Sequence, residues 1–126
     1  MAHVRILCVG NALVLQDSLT NYLKPNEAVW VDSGEDAMEE LDGGRPYDRI
    51  IILAGYQLGL RAVKLLNLIR CESRFNWLPV IFVEHYVKEV ADVVLYDGGI
   101  FADEGKLPDS LDEALRLADE WRHSGI

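Results

Sequence analysis

The residues able to do chemistry are few and scattered. Glu84-His85 and Asp103-Glu104 each close a short apolar run, Val80 to Val83 and Ile100 to Ala102. Carboxylates and an imidazole meeting above two strands would suit a divalent cation. Segments this short are more often solvated loop ends. Ser18 has no His and Asp placed to complete a hydrolase triad. Gly55-Tyr56-Gln57-Leu58-Gly59 sets glycines at a strand-to-helix turn, with the spacing of neither a dinucleotide fingerprint nor a P-loop. Cys8 and Cys71 lack metal or redox spacing and read as reduced packing or surface residues. His3 and His123 near the termini, and Asp17 on the outer side of the first helix, are expected in solvent. Arg61, Lys64 and Arg70 share one helix face, and such a face is more often solvated than phosphate-binding. No catalytic residue, resident metal or cofactor is expected.

The elements that must position these groups are organised around Tyr47 to Gly59. Ile50 to Ala54 is an unbroken apolar run rich in β-branched residues, the pattern of a strand buried on both faces. Such strands belong to parallel sheets covered by helices, whose ligands sit beyond the carboxyl ends of the strands. At this carboxyl end stand Leu53, Ala54 and Gly55, which neither ionise, attack nor ligate a metal.

Around it the chain alternates. Val4 to Val9 is a first strand closed by Gly10, and Asn11 is placed to cap a helix over Ala12 to Lys24. Its buried stripe is Leu15, Leu19, Tyr22 and Leu23. Ala28 to Val31 is the second strand. Ser33-Gly34-Glu35-Asp36 fits a capping box for a helix that carries Ala37, Met38 and Leu41 and stops at Gly43-Gly44. After the third strand a helix from about Leu58 to Glu72 packs through Leu58, Ala62, Leu65, Leu66 and Ile69. Val80 to Val83 is the fourth strand. Tyr86 to Tyr96 is helical in period, with Val87, Val90 and Val94 inward, and its valines predict the weakest helix. Ile100 to Ala102 is the fifth strand. Pro108-Asp109 opens a helix with Leu111, Ala114, Leu115, Ala118 and Trp121 on one face. Five β–α units in strict alternation predict an α/β protein, a doubly wound three-layer sandwich in one domain over residues 1–126.

Composition narrows the function classes. The chain has 126 residues, half of them hydrophobic, with a net charge of -9 and a pI near 4.7. That charge argues against nucleic-acid binding by this domain, which needs a basic face. No apolar run approaches membrane-spanning length, and Met1-Ala2-His3 is no signal peptide. A cytoplasmic protein is expected. Charge is uneven: Gln57 to Arg74 holds four basic residues and one acidic, Asp97 to Glu120 eight acidic and two basic. This asymmetry would orient a head-to-tail contact between chains, unless both faces are merely solvated.

In order and length these units resemble a bacterial response-regulator receiver domain over nearly the whole chain. S-G-E-D-A-M-E-E-L from Ser33, followed by G-R-P-Y-D-R-I-I-I-L, resembles the family's second helix and third strand. L-P-V-I-F-V from Leu78 resembles its fourth strand, and I-F-A from Ile100 its fifth. The resemblance implies a flavodoxin-like parallel sheet of order 2-1-3-4-5. It also implies an acidic pair for Mg²⁺ after the first strand, a phosphoacceptor Asp ending the third, a Thr or Ser after the fourth and a Lys after the fifth. Here those places hold Gly10 and Asn11, then Leu53 (or Ala54 with a one-residue shift), Glu84, and Glu104 followed by Gly105. Lys106 is nearby but out of register. Phe101 matches the family's aromatic switch position.

A phosphoryl group needs a carboxylate nucleophile, a hard cation and positive charge around its oxygens. The expectation is therefore a pseudo-receiver: an atypical receiver of two-component signalling, not an enzyme, working by protein–protein interaction and not by aspartyl phosphorylation. The resemblance places its partner or homodimer contact on the fourth helix, fifth strand and fifth helix, with Val93, Leu95, Tyr96 and Phe101 as the interaction face. Leu95 and Tyr96 fall outside the inward stripe and should be exposed. The alternative is a flavodoxin-like domain binding a small molecule or nucleotide in the sheet's natural crevice.

Overall fold

A computed structural model of the chain describes residues 4–56 and 61–124, the side chains of 122–124 excepted. The elements run β1 (Arg5–Val9), α1 (Leu13–Leu23), β2 (Glu27–Val31), α2 (Gly34–Asp42), β3 (Arg49–Leu53), α3 (Ala62–Cys71), β4 (Val80–Glu84), α4 (Lys88–Tyr96), β5 (Ile100–Asp103) and α5 (Asp109–Ser124). The strands form one sheet in the order β2-β1-β3-β4-β5, every pairing parallel. The doubly wound three-layer fold expected from the sequence is the fold observed.

Alternation along each strand divides the core. Leu7, Val9, Ile50, Ile52, Val80 and Phe82 face α2, α3 and α4, through Leu41, Leu65, Leu66, Ile69 and Val94. Ile6, Cys8, Ile51, Leu53, Ile81 and Val83 face α1 and α5, through Leu19, Leu23, Leu111, Ala114 and Ala118. Both faces of the central strands are thus apolar, which is why β3 and β4 read as continuous hydrophobic runs.

A local signal sets the start of α2, while α1, α3 and α4 begin without a side-chain cap. Ser33 caps α2, its hydroxyl accepting from the Asp36 N–H at 3.1 Å. Asn11 does not cap α1: the cap position is Ala12, which offers no side-chain acceptor, and the Asn11 N–H donates to the Tyr56 carbonyl at 2.8 Å. The chain leaves β1 across the end of β3 before it turns into the helix. α3 begins at Ala62, later than the apolar period suggested; Gln57, Leu58 and Gly59, like His3, lie outside the described residues, and so does the side chain of His123. Ala54 leaves β3 for a short 3₁₀ turn, Ala54–Tyr56. Tyr22 and Val87 were expected inward and are exposed. Tyr22 sits at the edge of the α1 stripe, and Val87 precedes the first turn of α4, where no helix geometry turns it toward the sheet.

Candidate functional site

The carboxyl ends of the strands carry a packed apolar contact where the fold offers a crevice. Gly10 leaves β1 with φ +149°, a backbone state that favours glycine. A Cβ placed on Gly10 would lie 2.9 Å from the Leu53 Cβ. Leu53 is fully buried, its side chain in the apolar layer that faces α1 and α5. The absent side chain at one position and the alkyl group at the other fill the same space. The Gly10 N–H donates to the Val31 carbonyl at 2.9 Å, so this end of β1 is held to both of its neighbours.

Above this contact the polar residues engage one another. The Tyr56 hydroxyl donates to Glu104 at 2.7 Å, linking the turn after β3 to the turn after β5. That hydrogen bond, with the charge of the same carboxylate, raises the Tyr56 pKa and keeps the phenol protonated. His85 Nε2 lies 3.6 Å from Glu104 and forms an ion pair with it only when protonated. Glu84 accepts from the His85 backbone N–H at 2.9 Å. Asp103 accepts from the Gly105 and Tyr86 N–H groups at 2.9 and 3.3 Å. The segments after β4 and β5 thus meet through the His85–Glu104 and Tyr86–Asp103 contacts. Among the described residues no three or more His, Cys, Asp or Glu side chains converge in a way that could hold a metal ion. Asn11, Asp17 and Ser18 are exposed.

Tyr56 was not singled out in the sequence. A tyrosine after a buried strand gives no sign of its partner when that partner is 48 residues away. Arg70 is not a solvated surface residue. It leaves the basic face of α3 and donates to the carbonyls of Gly98, Leu78 and Asn76 at 2.8, 2.7 and 3.2 Å. Its guanidinium also stacks over Trp121, 4.9 Å from the ring centre. Burial lowers its pKa to about 10. Arg74 pairs with Asp42 and Glu72. Of the basic stretch, only Arg61 and Lys64 remain without a partner among the described residues, which weakens any head-to-tail attraction.

The side of the molecule formed by α4, β5 and α5 is open. Leu95 is 61% and Tyr96 91% exposed, and Val93 is also at the surface. Phe101 is half-buried, stacked against Phe82 with ring centres 6.4 Å apart and met edge-on by exposed Tyr86 at 6.0 Å. These rings join the core to a shallow groove that Leu95, Leu117 and Trp121 also line. The expected exposure of Leu95 and Tyr96 is observed.

No protein-family model matches the chain, and no curated protein matches it by sequence. Solved structures do. The signal receiver domain of an HD domain-containing protein from Pseudomonas fluorescens superposes with a TM-score of 0.81 at 20% identity, over 99% of this chain and 93% of that one. A response regulator receiver protein from Pseudomonas putida gives 0.78 at 23% identity, over 93% and 98%. The receiver domain of a sensor histidine kinase from Pseudomonas aeruginosa, with a magnesium ion in its active-site cleft, gives 0.77 at 20% identity, over 98% and 100%. The fold is therefore that of the response-regulator receiver domains. Among the described residues no helix is long and apolar enough to cross a membrane.

Proposed function

We propose that this chain is a receiver-fold signalling module that acts by binding a protein partner or a second copy of itself, without aspartyl phosphorylation. The observation that carries the reading is the Gly10–Leu53 contact. The nucleophile position holds a buried alkyl group, and the space beside it is closed. The Mg²⁺ implied by the fold does not suit these residues. Gly10 has no side chain, Asn11 offers a neutral amide, and a hard cation prefers several oxygens with charge among them. Glu104, where a phosphate-binding cation would be needed, is hydrogen-bonded to Tyr56.

The partner meets the face formed by α4, β5 and α5, with Leu95, Tyr96, Val93 and Phe101 as contacts. The exposed apolar residues, with the Arg116-paired Glu120 at the edge of the groove, fit a partner that is apolar at its centre and basic or mixed at its edge. The domain, one unit over residues 1–126, is bacterial and cytoplasmic, and it is not an enzyme. Titration with Mg²⁺ and beryllofluoride, followed by the fluorescence of Trp77 and Trp121, tests the phosphorylation half of the proposal. No spectral change is expected. A saturable change that requires both reagents would refute it. Capture experiments with Leu95→Glu and Tyr96→Glu test the other half: unchanged self-association and partner capture in both variants would show that the face is wrong.

A further inference from the structure

A groove separate from that face runs between α3 and α4, over the end of β4. It encloses about 840 Å³, within the range of small-molecule sites. Phe82 and Val90 give it an apolar floor. One wall is the outer face of α3, where Lys64, Leu68 and Cys71 follow at spacings of four and three residues, the repeat that places side chains along one line, and Arg61, the extended residue that precedes the helix, lines the same groove. The charges on that wall are unmatched among the described residues. Arg45, Arg49, Arg74, Lys88 and Arg116 all pair with carboxylates. Arg61 and Lys64 have no such partner among the described residues, in a chain of net charge -9. Among the described residues Glu84 alone supplies a carboxylate to the groove, and one of its oxygens accepts from the His85 N–H. The rim is therefore net positive above an apolar floor.

We propose that this groove binds a small amphiphile: an apolar body lying on Phe82, Val90 and Leu68, with a carboxylate held between Arg61 and Lys64. The inference is independent of the partner reading, since the groove shares no lining residue with the Leu95 face. The apolar body would supply most of the affinity and the two cations the orientation and the preference for an anion.

The structure also supplies a reporter. Cys71 is exposed and lines the groove, whereas Cys8 is buried and burial pushes its pKa up to about 12. Alkylation by iodoacetamide in the native protein thus reads Cys71 alone. Sodium decanoate is the probe, with decanol as the uncharged control. Decanoate is expected to shift the amide resonances of Ala62–Cys71 and Val90 saturably. At ten times its Kd it should slow Cys71 alkylation about tenfold, as mass action requires for a site that must be empty to react. Paired substitution Arg61→Glu with Lys64→Glu, at two exposed positions, should weaken decanoate about tenfold and leave decanol unchanged. Leu95→Glu should change neither. The proposal is overturned if decanoate causes no saturable shift in the groove, if the charge-reversed chain binds it as well as the original, or if the shifts map to Leu95 and Tyr96 instead.

Discussion

The carboxyl ends of β1 and β3 and the side formed by α4, β5 and α5 lie on the same small sheet and differ in what they leave available. At the strand ends, Gly10 and Leu53 are packed against each other and the polar groups above them are engaged. On the side, Leu95 and Tyr96 project into solvent with nothing covering them among the described residues. The space between Gly10 and Leu53 is closed, and the side formed by α4, β5 and α5 is open. Substitutions should therefore act in opposite ways in the two regions, on stability at the strand ends and on association at the side.

The largest effect is expected from Gly10→Asp. It puts a Cβ against that of Leu53, in a backbone state unsuited to side chains, and a carboxylate against an apolar layer. Overpacking and an unpaired charge together should lower unfolding stability by about 3 kcal/mol or more in urea titration. Adding Leu53→Ala, which alone should cost roughly 2–4 kcal/mol, should recover part of that loss. Strictly additive losses would mean that the two side chains do not compete for one space.

Next comes Arg70→Ala, which removes three carbonyl contacts and the stacking on Trp121. A loss of about 2 kcal/mol is expected, with little recovery from Arg70→Lys, because an ammonium cannot reproduce the planar fork. Leu95→Glu and Tyr96→Glu should each change stability by less than about 0.5 kcal/mol, as exposed substitutions do, while reducing association. If either lowered stability as much as Gly10→Asp, the contrast between closed end and open side would fail. The smallest effect concerns the thiols. One equivalent, Cys71, should react quickly with a disulfide reagent at pH 8, and Cys8 only after unfolding.

The fold was legible because its signals are local. Apolar runs at Ile50 and Val80, the cap at Ser33 and the glycines after α2 each describe their own neighbourhood. The exposure of Leu95 and Tyr96 also followed from helical period alone. What the sequence did not show depends on distant partners. Asn11 looked like a cap because asparagine favours that place, yet its N–H is drawn to the Tyr56 carbonyl and the helix starts later. Arg70 looked solvated because arginine usually is, until the turns before β4 and β5 bring carbonyls to it. The complementarity of Gly10 and Leu53 was visible as two separate departures from a receiver pattern. That they fill one space is a fact of three dimensions.

Phosphorylation is tested most directly by incubating the chain with acetyl phosphate and Mg²⁺ and measuring its intact mass. An unmodified mass is expected, both for the original chain and for Leu53→Asp, since the cation ligands and phosphate contacts are also missing. A stoichiometric gain of one phosphoryl group on the original chain, labile to hydroxylamine, would contradict it.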